Sequence, residues 1–532
     1  MNEAHNAGIK LERGKNAARN VVFGGAYRLY AMLAPFVMRT VLLYQLGVDF
    51  LGLDSLFASI LQVLNLAELG VGSAMVFSMY KPIVEDDRES LCALLNLYRK
   101  IYYGIGLVIL AAGLAISPLV PTLVKGAVPE GMSLRTLYYM NLGGTVLSYW
   151  VFAYKGCLFD AHQRLDVAHK IHLVVDTLKY AVSILLVCVY HNYYLYLIAR
   201  LGFEIVYNVC RFYFAGRYYP NLKPSGALDP EKKRLILSRV RDLFTARLGG
   251  VVMNAADALV ISGFLGLHEL AVYQNYYFVV SSLRACLEVI LSSSLAGIGN
   301  SLLTETSEKN YWDFRRLTFL FCWITGLCCC MLMALYQPFM RLWTGEELLM
   351  PMSVVVSLVV YLYVVEVNRI TNIYKDAAGI WHEDRFRPLT AAVVNVLLNV
   401  ITVRYIGIFG VIFSTVVAFA AVELPWLILN LFRLVFPRGY AGAYVKSLLW
   451  YLSVTAAVCA ATYGVCALWS LTLIPTIIVR ALISFCLPNL LFLLIYRRTE
   501  EFQGSLELAD RLTRGKIKLL KRLKADTGGT RA

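Results

Sequence analysis

Residues 271–303 read AVYQNYYFVVSSLRACLEVILSSSLAGIGNSLL, and Arg284 and Glu288 are the only charged residues in this apolar stretch. A helix of about 20 apolar residues crosses the hydrocarbon core of a bilayer. A charge near the middle of such a helix costs several kcal/mol, so it is kept mainly where a substrate or an ion passes. The stretch therefore predicts a membrane-spanning helix that takes part in transport.

Thirteen further apolar segments accompany this one. The chain has 532 residues, of which 59% are hydrophobic and 16% are charged, and its mean hydropathy is +0.62. A soluble protein is closer to half apolar and a quarter charged. These values predict an all-α polytopic membrane protein with about 14 transmembrane helices. The predicted spans are 20–44, 51–79, 98–122, 134–156, 167–190, 193–216, 243–265, 271–303, 316–340, 351–376, 388–406, 409–433, 445–470 and 474–496.

The positive charge is distributed unevenly between the loops. The net charge of +15 would fit a nucleic-acid partner, but most Lys and Arg residues fall in every second loop and in the two terminal segments. The intervening loops and the span ends next to them hold only Lys125, Arg135, Arg341 and Arg404. Cytoplasmic loops are enriched in Lys and Arg, so this pattern places both termini in the cytoplasm. The charge then serves topology and attraction to anionic lipid rather than nucleic-acid binding.

The segments outside the predicted spans are short. Residues 1–19 are polar and basic and precede an apolar run too long for a cleavable signal peptide, so we expect a signal anchor. Residues 217–242 and 497–532 combine basic residues with Leu and Ile at helical spacing. Each is predicted to lie on the inner leaflet as an amphipathic helix, or to be a solvated basic helix.

None of these segments has the pattern of an enzyme domain. The sequence contains no phosphate-binding glycine loop, no paired catalytic carboxylates in a soluble domain and no Ser/His/Asp constellation. No cysteine falls in a predicted outside loop, which argues against a disulfide framework. The histidines show no metal-ligand spacing. We therefore expect no catalytic residue, no metal and no cofactor.

Charged residues inside the spans are the candidate functional residues. Arginine suits phosphate because its planar guanidinium binds two oxygens and stays charged. We therefore predict an Arg-rich cavity for an anionic group. Its basic residues are Arg28, Arg39, Arg247 and Arg284. Acidic residues would carry a coupling proton or cation, or would neutralise the arginines when the cavity is empty; they are Glu68, Asp257, Glu288 and Glu423.

Some intramembrane charges have an alternative role as structural ion pairs. Residues three or four positions apart share a helix face. By that spacing Asp176 pairs with Lys179, Arg200 with Glu204, and Glu366 with Arg369, whereas Arg284 has Glu288 available. Glu423 has no basic residue at such a spacing within its span.

An internal repeat relates two parts of the chain. Leu46-Gly47 and the residues after it resemble Leu265-Gly266 and the residues after it, and at the same separation Arg28 falls on Arg247. Both segments begin on the predicted inside. The pattern predicts two six-span halves related by an axis along the membrane normal, a plan known among transporters.

Four stretches of the chain form recognisable motifs. The longest is LGVDFLGLDSLFASILQVLNLAELGVGSA at 46–74, and shorter ones are MYKPI at 79–83, LLNLYRKIY at 94–102 and AHQR at 161–164. These motifs resemble Wzx-type polysaccharide flippases of the multidrug/oligosaccharidyl-lipid/polysaccharide (MOP) exporter superfamily. The similarity covers most of the chain and is densest over 17–215. These apolar and Gly-rich motifs identify the family better than the cargo.

The resemblance implies two six-helix lobes in a V around a central cavity, lined by spans 1, 2, 7 and 8. It implies alternating-access flipping of undecaprenyl-pyrophosphate-linked oligosaccharide repeat units across a bacterial plasma membrane, for capsule, O-antigen or exopolysaccharide synthesis. It also implies that an ion gradient or the membrane potential supplies the energy. The partners would be this lipid-linked cargo, membrane lipids, and polysaccharide polymerases or glycosyltransferases. The expected domains are 1–19, an N-lobe at 20–216, a linker at 217–242, a C-lobe at 243–434, two extra helices at 445–496 and a tail at 497–532.

The sequence is also compatible with three further functions. A lipid II flippase for peptidoglycan has the same fold and differs in cargo. A multidrug or cation antiporter of the same superfamily would favour a net acidic pocket, whereas these spans offer several arginines. A non-transporting scaffold of a polysaccharide synthase complex would explain the helices without the intramembrane charges.

Overall fold

The computed structural model describes residues 13–126, 128–468 and 472–512. Every regular element in these ranges is a helix, so the predicted all-α class is confirmed. The helices are α1 (Arg13–Gln45), α2 (Val48–Leu64), α3 (Val71–Val84), α4 (Arg88–Ile116), α5 (Leu134–Trp150), α6 (Cys157–Ala161), α7 (Leu165–Tyr190), α8 (Tyr193–Tyr218), α9 (Pro230–Phe264), α10 (Leu267–Thr304), α11 (Ser307–Thr344), α12 (Met352–Ala377), α13 (Arg387–Val417), α14 (Leu424–Leu434), α15 (Ala441–Ala467), α16 (Leu473–Tyr496) and α17 (Glu500–Leu512).

Eleven segments of the described chain are long and apolar enough to cross a membrane, so the protein is a multi-pass membrane protein. One of them, Arg387–Leu434, contains two predicted spans. The helix breaks between them at Ile406 and Gly407, where the backbone leaves helical geometry and Gly407 has φ of 58°. Helices α5 and α8 cover two further predicted spans but are not among the eleven. The total of about 14 spans stays a prediction.

The repeated Leu-Gly motif has the same structural role at both positions. Gly47 separates α1 from α2 with φ of 106°, and Gly266 separates α9 from α10 with φ of 107°. Side chains strongly disfavour such positive φ values, so glycine is the residue that allows this turn. The sequence repeat therefore reflects two helix–turn–helix connections of matching backbone geometry.

The second predicted span is broken near its middle. Helix α2 ends at Leu64, a 3-10 turn follows at Asn65–Glu68, and α3 starts after Gly70. Gly70 has φ of 84°, and a Cβ atom there would lie 2.6 Å from Leu243 Cβ on α9. Glycine therefore allows both the turn and the close approach of α9, and the break places Glu68 at the junction of two half-helices.

Replacing Gly70 with Ala is expected to lower the thermal unfolding midpoint of the detergent-purified protein. A left-handed backbone costs a non-glycine residue about 1–2 kcal/mol, and the contact with Leu243 adds to this cost. Gly104 on α4 is the matched control because nothing lies within 4 Å of a Cβ there, and Gly104→Ala should leave the midpoint unchanged or raise it. Equal shifts in the two variants would contradict this account of the break.

The chain divides into two compact units, the first ending at Ala271 and the second beginning at Val272 within α10. In the first unit, α1 packs on α7, α7 on α8, α4 on α5, and α2 on α9. The predicted lobe boundaries at 216 and 243 stay a prediction.

In the second unit, α11 is the central helix and packs against α12, α15, α16 and α17. The predicted extra helices attach to it through aromatic side chains. Tyr444 of α15 packs 4.7 Å from Phe314, and Phe492 of α16 lies 5.6 Å from Trp323, between ring centroids.

The basic segment at 230–242 is the first part of α9, which continues without a break to Phe264. A helix of this length extends about 52 Å, which exceeds the hydrocarbon thickness of about 30 Å. An unbroken helix cannot both cross the bilayer and lie along its surface. The geometry therefore favours a basic extension beyond the membrane over a helix on the inner leaflet.

The described part of the tail packs against protein. In α17, Phe502 stacks on Trp323 with 5.8 Å between ring centroids, and Glu501 pairs with Arg315 at 2.6 Å. Phe502 and Leu506 are buried. This part of the tail therefore docks on α11, while residues 513–532 lie outside the described residues.

Candidate functional site

Arg284 is at the centre of a polar cluster between α10 and α12. Its Nε donates to Glu366 Oε1 at 3.3 Å, and its Nη1 donates to the Tyr361 hydroxyl at 2.7 Å. The Tyr277 hydroxyl lies 3.4 Å from the same nitrogen. Because α10 and α12 are both long enough to span a membrane, the structure holds a guanidinium among hydroxyl and carboxylate groups inside membrane-spanning helices.

A second arginine completes this cluster. Arg369 Nη1 lies 3.7 Å from Glu366 and 3.7 Å from Glu288, and it donates to the Arg284 carbonyl oxygen at 3.1 Å. Glu366 is 0% exposed, and its Oε2 has no hydrogen-bond partner among the described residues. We define Arg284, Glu366, Arg369, Glu288, Tyr277 and Tyr361 as the α10–α12 cluster.

The pairing in this cluster differs from the local spacing of the sequence. Arg284 pairs across helices with Glu366, while Glu288 pairs with Arg369. Arg284 therefore does not use Glu288, the carboxylate that spacing makes available on its own helix, whereas the predicted pair of Glu366 with Arg369 is confirmed. Chemically, Glu366 occupies the guanidinium sites that an incoming anion would need, so the carboxylate and an anion would compete for Arg284.

The break in the second span creates a polar cluster in the first unit. Glu68 accepts from the Tyr102 hydroxyl at 3.2 Å, and Tyr102 lies 2.6 Å from the Tyr98 hydroxyl. Arg247 of α9 is close enough to interact electrostatically with Glu68, and its side chain is exposed. Two of the predicted site residues, Glu68 and Arg247, are thus near each other although far apart in sequence.

A further ion pair in the first unit joins α2 and α8. Arg200 pairs with Asp54 and donates to Asn141 Oδ1 at 2.8 Å, while the Tyr193 hydroxyl lies 3.3 Å from Asp54. The expected pairing of Arg200 with Glu204 is therefore wrong. Arg39 of α1 is half-buried and interacts electrostatically with Asp54, so it belongs to this group of charges.

Arg28 has a different environment. Its side chain is exposed on α1 and forms no ion pair with a described carboxylate. Beside it in the sequence, Tyr27 stacks on His169 with 5.2 Å between ring centroids. The predicted pair of Lys179 with Asp176 is present at 2.6 Å. Asp257, a predicted acidic site residue, is half-buried in α9.

Glu423 lies in a buried charged network rather than alone. It pairs with Arg387, whose Nε and Nη2 each lie 2.8 Å from an oxygen of Asp384. Lys375 lies 3.5 Å from Asp384 and 2.5 Å from Asp376. Sequence spacing missed this partner because Arg387 is far from Glu423 along the chain. A role for Glu423 in ion coupling stays a prediction.

Sequence reasoning overlooked Asp54, Tyr361 and Asp384, and it counted Lys375 and Arg387 only among the basic residues that set topology. A weak signal for the network was available, because the loop mixes acidic and basic residues instead of carrying only basic ones. Asp54 gave a clearer signal, since it is a carboxylate inside a predicted span.

Within the described residues, no group of three or more His, Cys, Asp or Glu is arranged to hold a metal ion. His162 has a packing role: it stacks on Tyr219 at 4.3 Å between ring centroids, and its Nδ1 lies 2.9 Å from the Leu158 carbonyl oxygen. Burial lowers the pKa of His162, which favours a neutral ring. The expected absence of metals and cofactors stays a prediction.

Comparisons with known proteins identify the fold. No protein-family model matches the chain, and no curated protein matches its sequence. Among solved structures, the chain is similar to the lipid II flippase MurJ in an inward closed conformation, with a TM-score of 0.65 and 13% identity over 90% of this chain and 99% of that chain. It is also similar to an inward-facing multidrug resistance MATE family transporter, with a TM-score of 0.61 and 13% identity over 79% of this chain and 99% of that chain.

A third similar structure is a MOP superfamily transporter from Pyrococcus furiosus, with a TM-score of 0.53 and 12% identity over 80% of this chain and 98% of that chain. The chain has the fold of MOP transporters. These matched proteins are transporters rather than enzymes. At such low identity the likeness concerns the fold, so the Wzx-type assignment and the cargo remain proposals.

Proposed function

We propose that the protein flips undecaprenyl-pyrophosphate-linked oligosaccharide repeat units from the inner to the outer leaflet by alternating access, for surface polysaccharide synthesis. It acts in a bacterial plasma membrane with both termini in the cytoplasm. Its energy comes from an ion gradient or the membrane potential, and its products pass to polysaccharide polymerases or glycosyltransferases.

The observation that carries this proposal is the environment of Arg284. A guanidinium inside membrane-spanning helices is expensive unless it has partners, and Arg284 is held by side chains that a substrate anion can replace. Diphosphate oxygens suit the planar guanidinium of Arg284, because two parallel N–H···O bonds form with it at once. The cargo diphosphate contacts Arg28, Arg247 and Arg284 at some stage of transport.

The acidic residues of the clusters act after cargo release, in the part of the transport cycle in which the protein is empty. When cargo leaves, Glu366 again neutralises Arg284 and Arg369, which keeps the empty protein free of uncompensated buried charge. Glu68, which accepts one hydroxyl hydrogen bond, carries a coupling proton or cation. Asp257, Glu288 and Glu423 are further candidates for this role.

One observation favours a second function, a lipid II flippase. The likeness to MurJ extends over 90% of this chain, whereas the MATE likeness extends over 79%. A multidrug or cation antiporter and a non-transporting scaffold of a synthase complex are two further candidate functions.

Deletion of the gene separates these functions by the intermediate that accumulates. Loss of surface polysaccharide with retention of undecaprenyl-linked oligosaccharide on the cytoplasmic face is expected. Lysis on depletion, with lipid II accumulating, would assign the protein to peptidoglycan synthesis. Normal polysaccharide with altered drug sensitivity would assign it to the antiporters.

Complementation of the deletion tests the arginines. Arg28→Ala and Arg247→Ala should each lower surface polysaccharide at unchanged protein abundance, because each removes a charge from the cargo path, and the triple variant with Arg284→Ala should abolish it. Arg480→Ala is the matched control, since Arg480 is an arginine in the predicted fourteenth span outside these clusters. Unchanged export in all single variants and in the triple variant would contradict the proposal.

A further inference from the structure

An open groove runs along one side of α14 in the second unit. Its volume is about 890 Å³. The residues that line it on α14 and the turn before it are Ala421, Val422, Pro425, Trp426, Leu429, Asn430, Phe432 and Arg433. From Ala421 to Arg433 the helix rises about 18 Å, which is close to half of a hydrocarbon core of about 30 Å. The groove therefore has the length of one acyl chain.

Two arginines stand together at one end of this groove. Arg433 lies in the last turn of α14, and Arg438 follows the bend that leads to α15. Both side chains are exposed, and neither forms an ion pair with a described carboxylate. The lining residues toward the other end, Ala421, Val422 and Pro425, are apolar, and Leu429, one turn before Arg433, is 69% exposed. The groove is thus cationic at one end and mainly apolar along the rest of its length.

We propose that this groove binds one anionic phospholipid, with its phosphate on Arg433 and Arg438 and an acyl chain along α14. Arginine pairs recognise phosphate through several charge-assisted hydrogen bonds. The indole N–H of Trp426 can donate to the lipid at the boundary between polar and apolar parts, as tryptophans do at membrane interfaces.

Charge complementarity argues against other occupants. Residues 513–532 of the same chain carry seven Lys and Arg residues and one Asp, so this tail would add positive charge beside Arg433 and Arg438. A second copy placed on the groove by twofold symmetry would bring the same two arginines toward each other. A phospholipid phosphate neutralises them, and basic clusters beside membrane helices attract anionic lipids.

Fluorescence quenching of Trp426 tests the lipid site in the full chain. Wild-type and Trp426→Phe proteins are placed in phosphatidylcholine nanodiscs with increasing fractions of phosphatidylglycerol or phosphatidylcholine brominated on the acyl chain, and the difference signal reports Trp426. Each arginine should strengthen binding of an anionic lipid about fivefold. Brominated phosphatidylglycerol should therefore quench Trp426 fluorescence at about a 25-fold lower lipid fraction than brominated phosphatidylcholine.

Variants then assign the preference to the two arginines. Arg433→Gln with Arg438→Gln should remove the preference, whereas Arg497→Gln with Arg498→Gln, an exposed pair just beyond α16, should retain it. Ala421→Phe should reduce quenching by both lipids because Ala421 lines the apolar end. Equal quenching by both lipids in the wild type, or equal loss in both double variants, would overturn the proposal.

Competition with undecaprenyl diphosphate, the lipid part of the proposed cargo, tests whether the groove binds a phospholipid or the cargo. Added at a low fraction, it should not displace brominated phosphatidylglycerol more effectively than unlabelled phosphatidylglycerol does. Stronger displacement would assign the groove to the cargo and overturn the phospholipid proposal. This result does not depend on whether the protein is a polysaccharide flippase.

Discussion

Replacing Arg387 with Met will destabilise the folded protein by about 3–5 kcal/mol, the range for a buried ion pair that loses one partner. The substitution leaves Glu423 without its cation and removes two hydrogen bonds to Asp384. Arg387, Glu423 and Asp384 are all buried, so water cannot easily replace the lost partner. Lys375, at 3.5 Å from Asp384, compensates only part of the remaining negative charge.

The fraction of folded protein in detergent, measured against temperature by size-exclusion chromatography, reports this effect. Arg385→Met is the matched control because Arg385 is an exposed arginine two residues away, and surface charges contribute about 0–1 kcal/mol. Adding Glu423→Gln to Arg387→Met should recover part of the stability by removing the uncompensated carboxylate. A double variant no more stable than Arg387→Met would show that this ion pair does not carry the effect.

The same experiment bears on ion coupling by Glu423. If Glu423 serves mainly to balance Arg387, then Glu423→Gln will lower stability and leave the transport rate per folded molecule unchanged. A large loss of transport at normal stability would instead support the coupling role predicted from sequence.

Replacing Arg284 with Ala will lower export of the lipid-linked oligosaccharide by about 10- to 100-fold. The protein should remain folded because Arg369, 3.7 Å from the buried Glu366, still neutralises that carboxylate. A hydrogen bond to a charged group contributes about 1.5–3 kcal/mol, and Arg284 is proposed to offer more than one of these to the diphosphate. Surface polysaccharide and cytoplasmic-face oligosaccharide, both normalised to protein abundance, measure the effect.

Conservative variants separate recognition by Arg284 from a purely structural charge. Arg284→Lys keeps the charge but loses the planar fork, so it should remain well below wild-type export. Tyr361→Phe removes the hydroxyl 2.7 Å from Arg284 and should reduce export only slightly. Full export with Arg284→Lys would mean that charge balance with Glu366 is the only requirement at this position.

Sequence reasoning succeeded where the structure depends on neighbouring residues. The apolar runs predicted the helices because backbone hydrogen bonds inside a bilayer must be satisfied within the segment. The Leu-Gly motif recurs in the sequence, and its glycines Gly47 and Gly266 have nearly equal positive φ values, while the two six-span halves inferred from the repeat stay a prediction. The boundary between the eleventh and twelfth spans was also predicted correctly, because Gly407 permits the positive φ that breaks the helix there.

Sequence reasoning failed where a charged residue pairs with a residue on another helix. Spacing of three or four residues identified Lys179 with Asp176 and Arg369 with Glu366. It assigned the wrong partner to Arg200 and did not find the partner of Arg284, because Asp54 and Glu366 belong to other helices. It also left Glu423 without Arg387. By itself, then, the sequence determined the helical class, the candidate span boundaries and the charges placed inside the membrane. The tertiary structure alone decided which charges neutralise one another, because helix packing determines which faces are buried together, and a buried charge must pair with a group on the face opposite it.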